Sequence, residues 1–93
     1  MTIKYEKVAT VFGSTAQLEV FIHLLNTRRD YLSGIAEATG LSHSSVSRVS
    51  QFLLDRGVLL ESKIGKQIRM FETNEESPIV QEARKLFEMI SAQ

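Results

Sequence analysis

Apolar residues recur along this chain with two different spacings, and the change falls at Gly57. Before it the period is near 3.6, as in helices that bury one face. Ser14–Asn26 predicts a first helix. Ser14 or Thr15 can cap its amides, Leu18, Phe21, Ile22 and Leu25 form a stripe, and Val20 and Leu24 widen it. So broad a stripe places this helix at the centre of a small core. Leu32–Thr39 predicts a short second helix ended by Gly40, with Ile35 and Ala36 inward; Gly34 inside it implies a frayed start or a close contact. Ser42 then caps a helix over His43–Arg56, stopped by Gly57, with Val46, Val49 and Leu53 inward and Ser44, Ser45, Ser47, Arg48 and Gln51 toward solvent.

After Gly57 the period shortens toward 2. Val58–Ile64 and Gln67–Thr73 predict two strands joined at Gly65-Lys66, a hairpin with a basic tip. Asn74–Pro78 reads as a loop, and Ser77 before Pro78 is a helix-opening pair. Ile79, Val80, Ala83, Leu86, Phe87 and Ile90 then carry a helical rhythm to the end. At the start of the chain Tyr5, Val8 and Phe12 fit a helix stripe, while Ile3 and Tyr5 also fit a strand; helix is the favoured reading. Arg28 and Arg29 read as a solvated loop.

Composition narrows the class. Ninety-three residues make one small domain, and 43% apolar with 24% charged residues excludes a disordered or low-complexity chain. The absence of cysteine excludes disulfides, a thiol nucleophile and a cysteine zinc site. Formal net charge is zero, yet its distribution is uneven. Between His43 and Met70 five basic residues stand against two acidic, and from Phe71 onward two stand against five. The opening residues hold no apolar leader, and no window is long enough to span a membrane. A cytoplasmic protein with no membrane partner is therefore expected. No local Ser–His–acid signature appears, Gly65-Lys66 lacks the upstream glycines of a phosphate loop, and two histidines without cysteine make a poor zinc site. No catalysis, cofactor or metal is expected.

The order helix, helix, short turn, helix, basic hairpin, helix resembles the winged helix-turn-helix domain. The resemblance rests on IAEATGLSHSSVSRVSQFLLDRGVL, residues 35–59, and on the Lys63–Arg69 hairpin. This run is similar to the I-A-x-x-x-G-L-S-x-S-[ST]-V-S-R pattern of MarR- and ArsR-type transcriptional regulators, with Leu53 and Gly57-Val58 matching its close. Phe12-Gly13-Ser14, Ser77-Pro78-Ile79 and Leu86-Phe87 resemble small archaeal and bacterial winged-helix domains. The resemblance implies an α+β, mostly helical fold: a three-helix core, a β-hairpin wing and an extra C-terminal helix. It places the helix-turn-helix at about 32–57, the wing at about 58–73 and the last helix at about 78–91.

It also implies double-stranded DNA as the partner, with helix 43–56 in the major groove and the wing on the backbone. Ser44, Ser45 and Ser47 are small enough to bring that helix close to DNA, and their hydroxyls can donate to phosphates or bases. Arg48 is the candidate for a bidentate contact with guanine. With Ser42 as cap, the backbone amides left free at the helix N-terminus form a ready phosphate site, and His43 stands beside them. Lys63, Lys66 and Arg69 of the wing stand where phosphate or minor-groove contacts are expected, although for Lys63 and Arg69 an ion pair with Glu61 or Glu72 is an equal alternative. His23 reads as a satisfied, partly buried side chain.

Two departures from the pattern matter. Ser50 stands where a core leucine is usual, and Phe52 and Leu54 stand where charge is usual. This apolar pair could cover the hairpin or a partner; with the acidic C-terminal helix and the zero net charge it favours the alternative reading, a winged-helix protein-interaction module without DNA. The terminal stripe of Ile79, Ala83, Leu86 and Ile90 is core, dimer seam or both. A homodimer on a two-fold related site is expected, and the short chain leaves sensing to the dimer interface or to a separate effector protein.

Overall fold

The structure, a computed structural model, describes residues 14–91. The helix favoured for the first dozen residues, and the Phe12-Gly13 pair, lie outside them. Helix α1 (Thr15–Thr27) starts where the Ser14 hydroxyl accepts from the Gln17 amide at 3.2 Å. It ends at Arg28, whose backbone adopts φ 71° and whose N–H donates to the Leu24 carbonyl at 2.7 Å. That turn reverses the chain into β1 (Arg29–Tyr31), which runs directly into α2 (Leu32–Thr39). Gly40, at φ 76°, ends α2 in the left-handed conformation.

Helix α3 (His43–Asp55) opens on the Ser42 cap and stops one residue before the Arg56 expected from sequence. A hairpin follows, β2 (Leu59–Ile64) and β3 (Ile68–Thr73), and then α4 (Pro78–Ser91). The register pairs Ile64 with Ile68, so Gly65, Lys66 and Gln67 all belong to the turn. The three strands form an antiparallel sheet in the order β1-β3-β2. Strand β1 is a departure from the sequence reading, which made Arg28 and Arg29 loop. Arg29 pairs with Glu72 and Tyr31 with Met70, making β3 the central strand.

One apolar cluster joins all of this. Val20, Phe21, Leu24 and Leu25 of α1 meet Ile35 and Ala36 of α2, Val46, Val49 and Leu53 of α3, Leu59 and Phe71 of the sheet, and Val80 and Ala83 of α4. Helix α1 lies at its centre, as its wide stripe requires. The fold is a winged helix-turn-helix: α1–α3 as the three-helix core, β2–β3 as the wing, and α4 as the added C-terminal helix.

Two details sharpen the finer expectations. Gly34 lies within α2, and its close approach is to the Asp30 side chain of β1. A Cβ there would collide with the Asp30 carboxylate, which accepts from the Tyr31 amide and pairs with His23 Nε2, both at 2.7 Å. Phe52 and Leu54 are half-buried and packed against the core, with the Arg56 guanidinium 4.1 Å over the Phe52 ring.

Candidate nucleic-acid interface

Helix α3 turns Val46, Val49, Ser50 and Leu53 inward, and this leaves Ser44, Arg48 and Gln51 on its outer side. At its start three hydroxyls form a local cluster. Ser42 Oγ accepts from the Ser45 amide at 3.1 Å, lies 2.9 Å from Ser45 Oγ and lies 3.2 Å from Ser44 Oγ. Ser42 therefore fixes the first turn and is committed to that task, while His43 and Ser44 stay exposed beside it. Ser45 is half-buried.

Arg48 is exposed and has no hydrogen bond or ion pair among the described residues. Gln51 donates to Asp55 Oδ1 at 2.9 Å, one turn further along. Ser50, by contrast, is fully buried and its hydroxyl has no partner among the described residues. The serine that replaces the usual core leucine leaves a polar atom unsatisfied there.

The wing reaches α3 through Arg69. Its Nε donates to Glu61 Oε2 at 2.6 Å, its Nη2 to Glu61 Oε1 at 3.2 Å, and its Nη1 to Ser47 Oγ at 2.8 Å. The hydrogen bond from Arg69 is the main cause that holds the Glu61 carboxyl below its ordinary range, and Glu61 in turn raises Arg69. Strand alternation selects this pairing: Glu61, Lys63, Arg69 and Phe71 share one face of the hairpin, and Glu72 lies on the other. Of the alternatives left open for Arg69, the ion pair with Glu61 is the one formed. Lys63 and Lys66 remain exposed.

The structure thus brings Ser42, His43, Ser44, Ser45, Ser47 and Arg48 together on the first half of α3 and ties Arg69 to them, with Lys63 and Lys66 further out on the wing. Between the wing tip and the start of α3 lies a cleft of about 210 Å³ lined by Tyr31, Leu32, Ser33, His43, Gln67, Ile68 and Arg69. Sequence reasoning missed Ser33 and Gln67. Gln67 adjoins Lys66 in the turn and could have been found there; Ser33 carries no local signal, because only the missed strand β1 aims the start of α2 at the wing.

Charge favours an anionic partner on this side. Neither residues 42–54 nor residues 62–71 contain a carboxylate, and Glu61 is neutralised by Arg69. Among the described residues no group of His, Cys, Asp and Glu could hold a metal ion, and no helix is long and apolar enough to cross a membrane.

No protein-family model matches the sequence, and no curated protein matches it at the level of sequence. Solved structures do match its fold. A transcriptional regulator homologue from Pyrococcus horikoshii superposes with a TM-score of 0.72 at 17% identity, covering 96% of this chain and 91% of that one. The antimony-specific transcriptional repressor AntR gives 0.72 at 20% identity, covering 99% and 84%. ZitR of Lactococcus lactis, solved in complex with DNA, gives 0.60 at 18% identity, covering 85% of this chain and 56% of that one. At these identities the likeness is one of fold, and the fold shared is the winged helix-turn-helix.

Proposed function

We propose that this chain is a transcriptional regulator that binds double-stranded DNA sequence-specifically as a homodimer. Helix α3 enters the major groove and the wing lies over the flanking backbone. Arg48 reads a base, Ser44 and His43 contact phosphate or base edges at the helix start, and Lys63 and Lys66 contact phosphates. Arg69 sets the angle of the wing through Glu61 and Ser47. The observation that carries this reading is Arg48: an exposed guanidinium, unpaired among the described residues, on the outer face of α3 beside a basic hairpin. The winged-helix neighbours are regulators, one of them solved with DNA, and this supports the same reading.

The dimer seam is assigned to α1 and α4. Leu18, Ile22, Leu86, Phe87 and Ile90 line an apolar groove between them, and Met89 and Ile90 are 46% and 56% exposed. A neutral domain gains little affinity from net charge, so two helices and two wings are needed for tight binding. With two wing lysines per protomer on phosphate, log K should fall with log salt at a slope of about −4. Phe52 and Leu54 pack on the core, which takes from the protein-interaction alternative two of the features that favoured it; the acidic C-terminal segment and the zero net charge suit either reading.

The test is an anisotropy titration onto labelled fragments flanking the protein's own gene, at two salt concentrations, beside a Lys66→Ala variant. Competitor-resistant binding is expected, with the variant weaker on all sequences alike. Weak binding without sequence preference would refute the proposal.

A further inference from the structure

The order β1-β3-β2 leaves β2 at an edge of the sheet, with no strand on its outer side among the described residues. The Asn74 amide donates to the Val58 carbonyl, and in an antiparallel ladder such bonded pairs alternate with unbonded ones. The backbone groups of Leu60, Ser62 and Ile64 therefore turn in toward β3, and those of Leu59, Glu61 and Lys63 turn out. Edges of this kind are usually blunted by proline, a bulge or lysines. Strand β2 has no proline and a single lysine, and it pairs with β3 in unbroken register. Leu60 and Ile64, 47% and 44% exposed, lie on the face that Ile68 extends. The edge is open and half apolar.

Charge decides which strand fits it. An antiparallel partner must set outward backbone groups against outward ones. If the partner is β2 of a second copy, related by a two-fold axis, the axis passes through one residue of the strand. Centred on Glu61, the pairing sets carboxylate against carboxylate; centred on Lys63, it sets ammonium against ammonium. Like charges directly opposite are destabilising. Centred on Ser62, it sets Glu61 against the partner's Lys63, and Lys63 against the partner's Glu61. Both are bonded positions, so the two pairs exchange about four N–H···O bonds. Leu60 meets the partner's Ile64 at an unbonded position, where side chains approach more closely. Arg69 takes one donor bond on each Glu61 carboxylate oxygen, and lone pairs remain there for a second cation.

We propose that two copies of this chain join edge to edge along β2, antiparallel about an axis at Ser62, so that their two three-stranded sheets become one. The contact is separate from the α1–α4 seam and does not depend on the DNA-binding reading. It belongs to the protein free of DNA, where Lys63 has no phosphate to hold. The buried area is small, so the association is weak and depends on concentration.

Cross-linking tests the register directly, because the chain has no cysteine of its own. On the axis, Ser62 faces its own copy with about 4.5 Å between Cα atoms, within the range a disulfide spans. With diamide as oxidant, Ser62→Cys should form a covalent dimer about tenfold faster than Lys66→Cys, whose position is far from its own copy in this register. Adding Lys63→Glu to Ser62→Cys sets like charges opposite and should remove that advantage. In sedimentation velocity at high concentration, the native protein should reach at least about twice the mean mass of Lys63→Glu. Mixing Lys63→Glu with Glu61→Lys restores opposite charges at both pairs and should restore the mass. Should Glu61→Lys melt below the native protein through loss of its Arg69 ion pair, the cross-linking comparison stands without it.

Equal cross-linking at positions 62 and 66, or cross-linking at 62 that survives Lys63→Glu, would overturn the proposal. A gain of mass unchanged by Lys63→Glu would overturn it too, giving the association to the α1–α4 groove. Thiol labelling of Ser62→Cys that is slowed by added duplex DNA, but not by rising protein concentration, would give the edge to DNA instead.

Discussion

Arg84 on α4 and Arg48 on α3 are the same side chain in opposite circumstances. Arg84 donates through Nε to Glu75 Oε1 at 2.5 Å, through Nη2 to Glu75 Oε2 at 2.8 Å and Thr73 Oγ1 at 3.0 Å, and through Nη1 to the Leu25 carbonyl at 3.0 Å. One guanidinium thereby joins α4 to the end of α1 and to β3, and Thr73 Oγ1 also donates to Glu75. Arg48 has no such partner among the described residues. A guanidinium whose acceptors all come from the chain holds the fold together. One whose donors face water can take a phosphate or a guanine without breaking anything in the fold. Arg69 lies between these cases, saturated enough to fix the wing and close enough to α3 to matter for binding.

The sharpest way to break this contrast is Arg84→Ala. It strands the Leu25 carbonyl and the Glu75 carboxylate, and should lower unfolding stability by about 2 kcal/mol in a denaturant titration, a value discounted because Glu75 is partly exposed. DNA affinity per folded molecule should not change. Next, Arg69→Ala should cost about 1 kcal/mol of stability and also weaken DNA binding, since the wing loses its tie to Ser47. Loss of stability without loss of affinity would remove the positioning role. On the buried side of α3, Ser50→Ala should raise stability by about 1 kcal/mol, because it removes an unsatisfied hydroxyl from the core.

The same Arg84–Glu75 pair also sets a pH dependence. The hydrogen bond from Arg84 is the main cause that holds the Glu75 carboxyl at about 2, against an ordinary 4.5. The unfolded chain therefore takes up this proton first as pH falls. The contribution is complete above about pH 5 and is lost between there and about pH 2. Glu61 acts in the same direction through Arg69. Acid titration of stability should be visibly flatter in Arg84→Ala than in the native protein.

What the sequence made legible follows from these physical causes. The long elements were readable because their periods are strong: α1, α3 and α4 were placed within a residue or two, and the hairpin within one. Strand β1 was not, since Arg29-Asp30-Tyr31 is too short to display a period of 2 and exists only because β3 offers an edge. The outer face of α3 was readable from Val46, Val49 and Leu53, which force Arg48 outward. The fate of Arg69 was not, because choosing between Glu61 and Glu72 requires the strand register. Phe52 and Leu54 could have covered the hairpin or a partner; which of these holds was not legible, because it depends on how the core closes around them. Composition could not assign the exposed Ile64 and Ile68, since apolar strand positions are ordinarily core.

The central claim is that the Arg48 face is built for a DNA partner and not for the fold. The direct measurement is one pair of readouts on Arg48→Ala: unfolding stability, and affinity at matched salt for the genomic fragment that binds the native protein most tightly. The account predicts stability within about 0.5 kcal/mol of native, with binding weaker by about 1–3 kcal/mol and base preference relaxed at one position. Unchanged affinity and unchanged base preference in a variant that folds normally would contradict it.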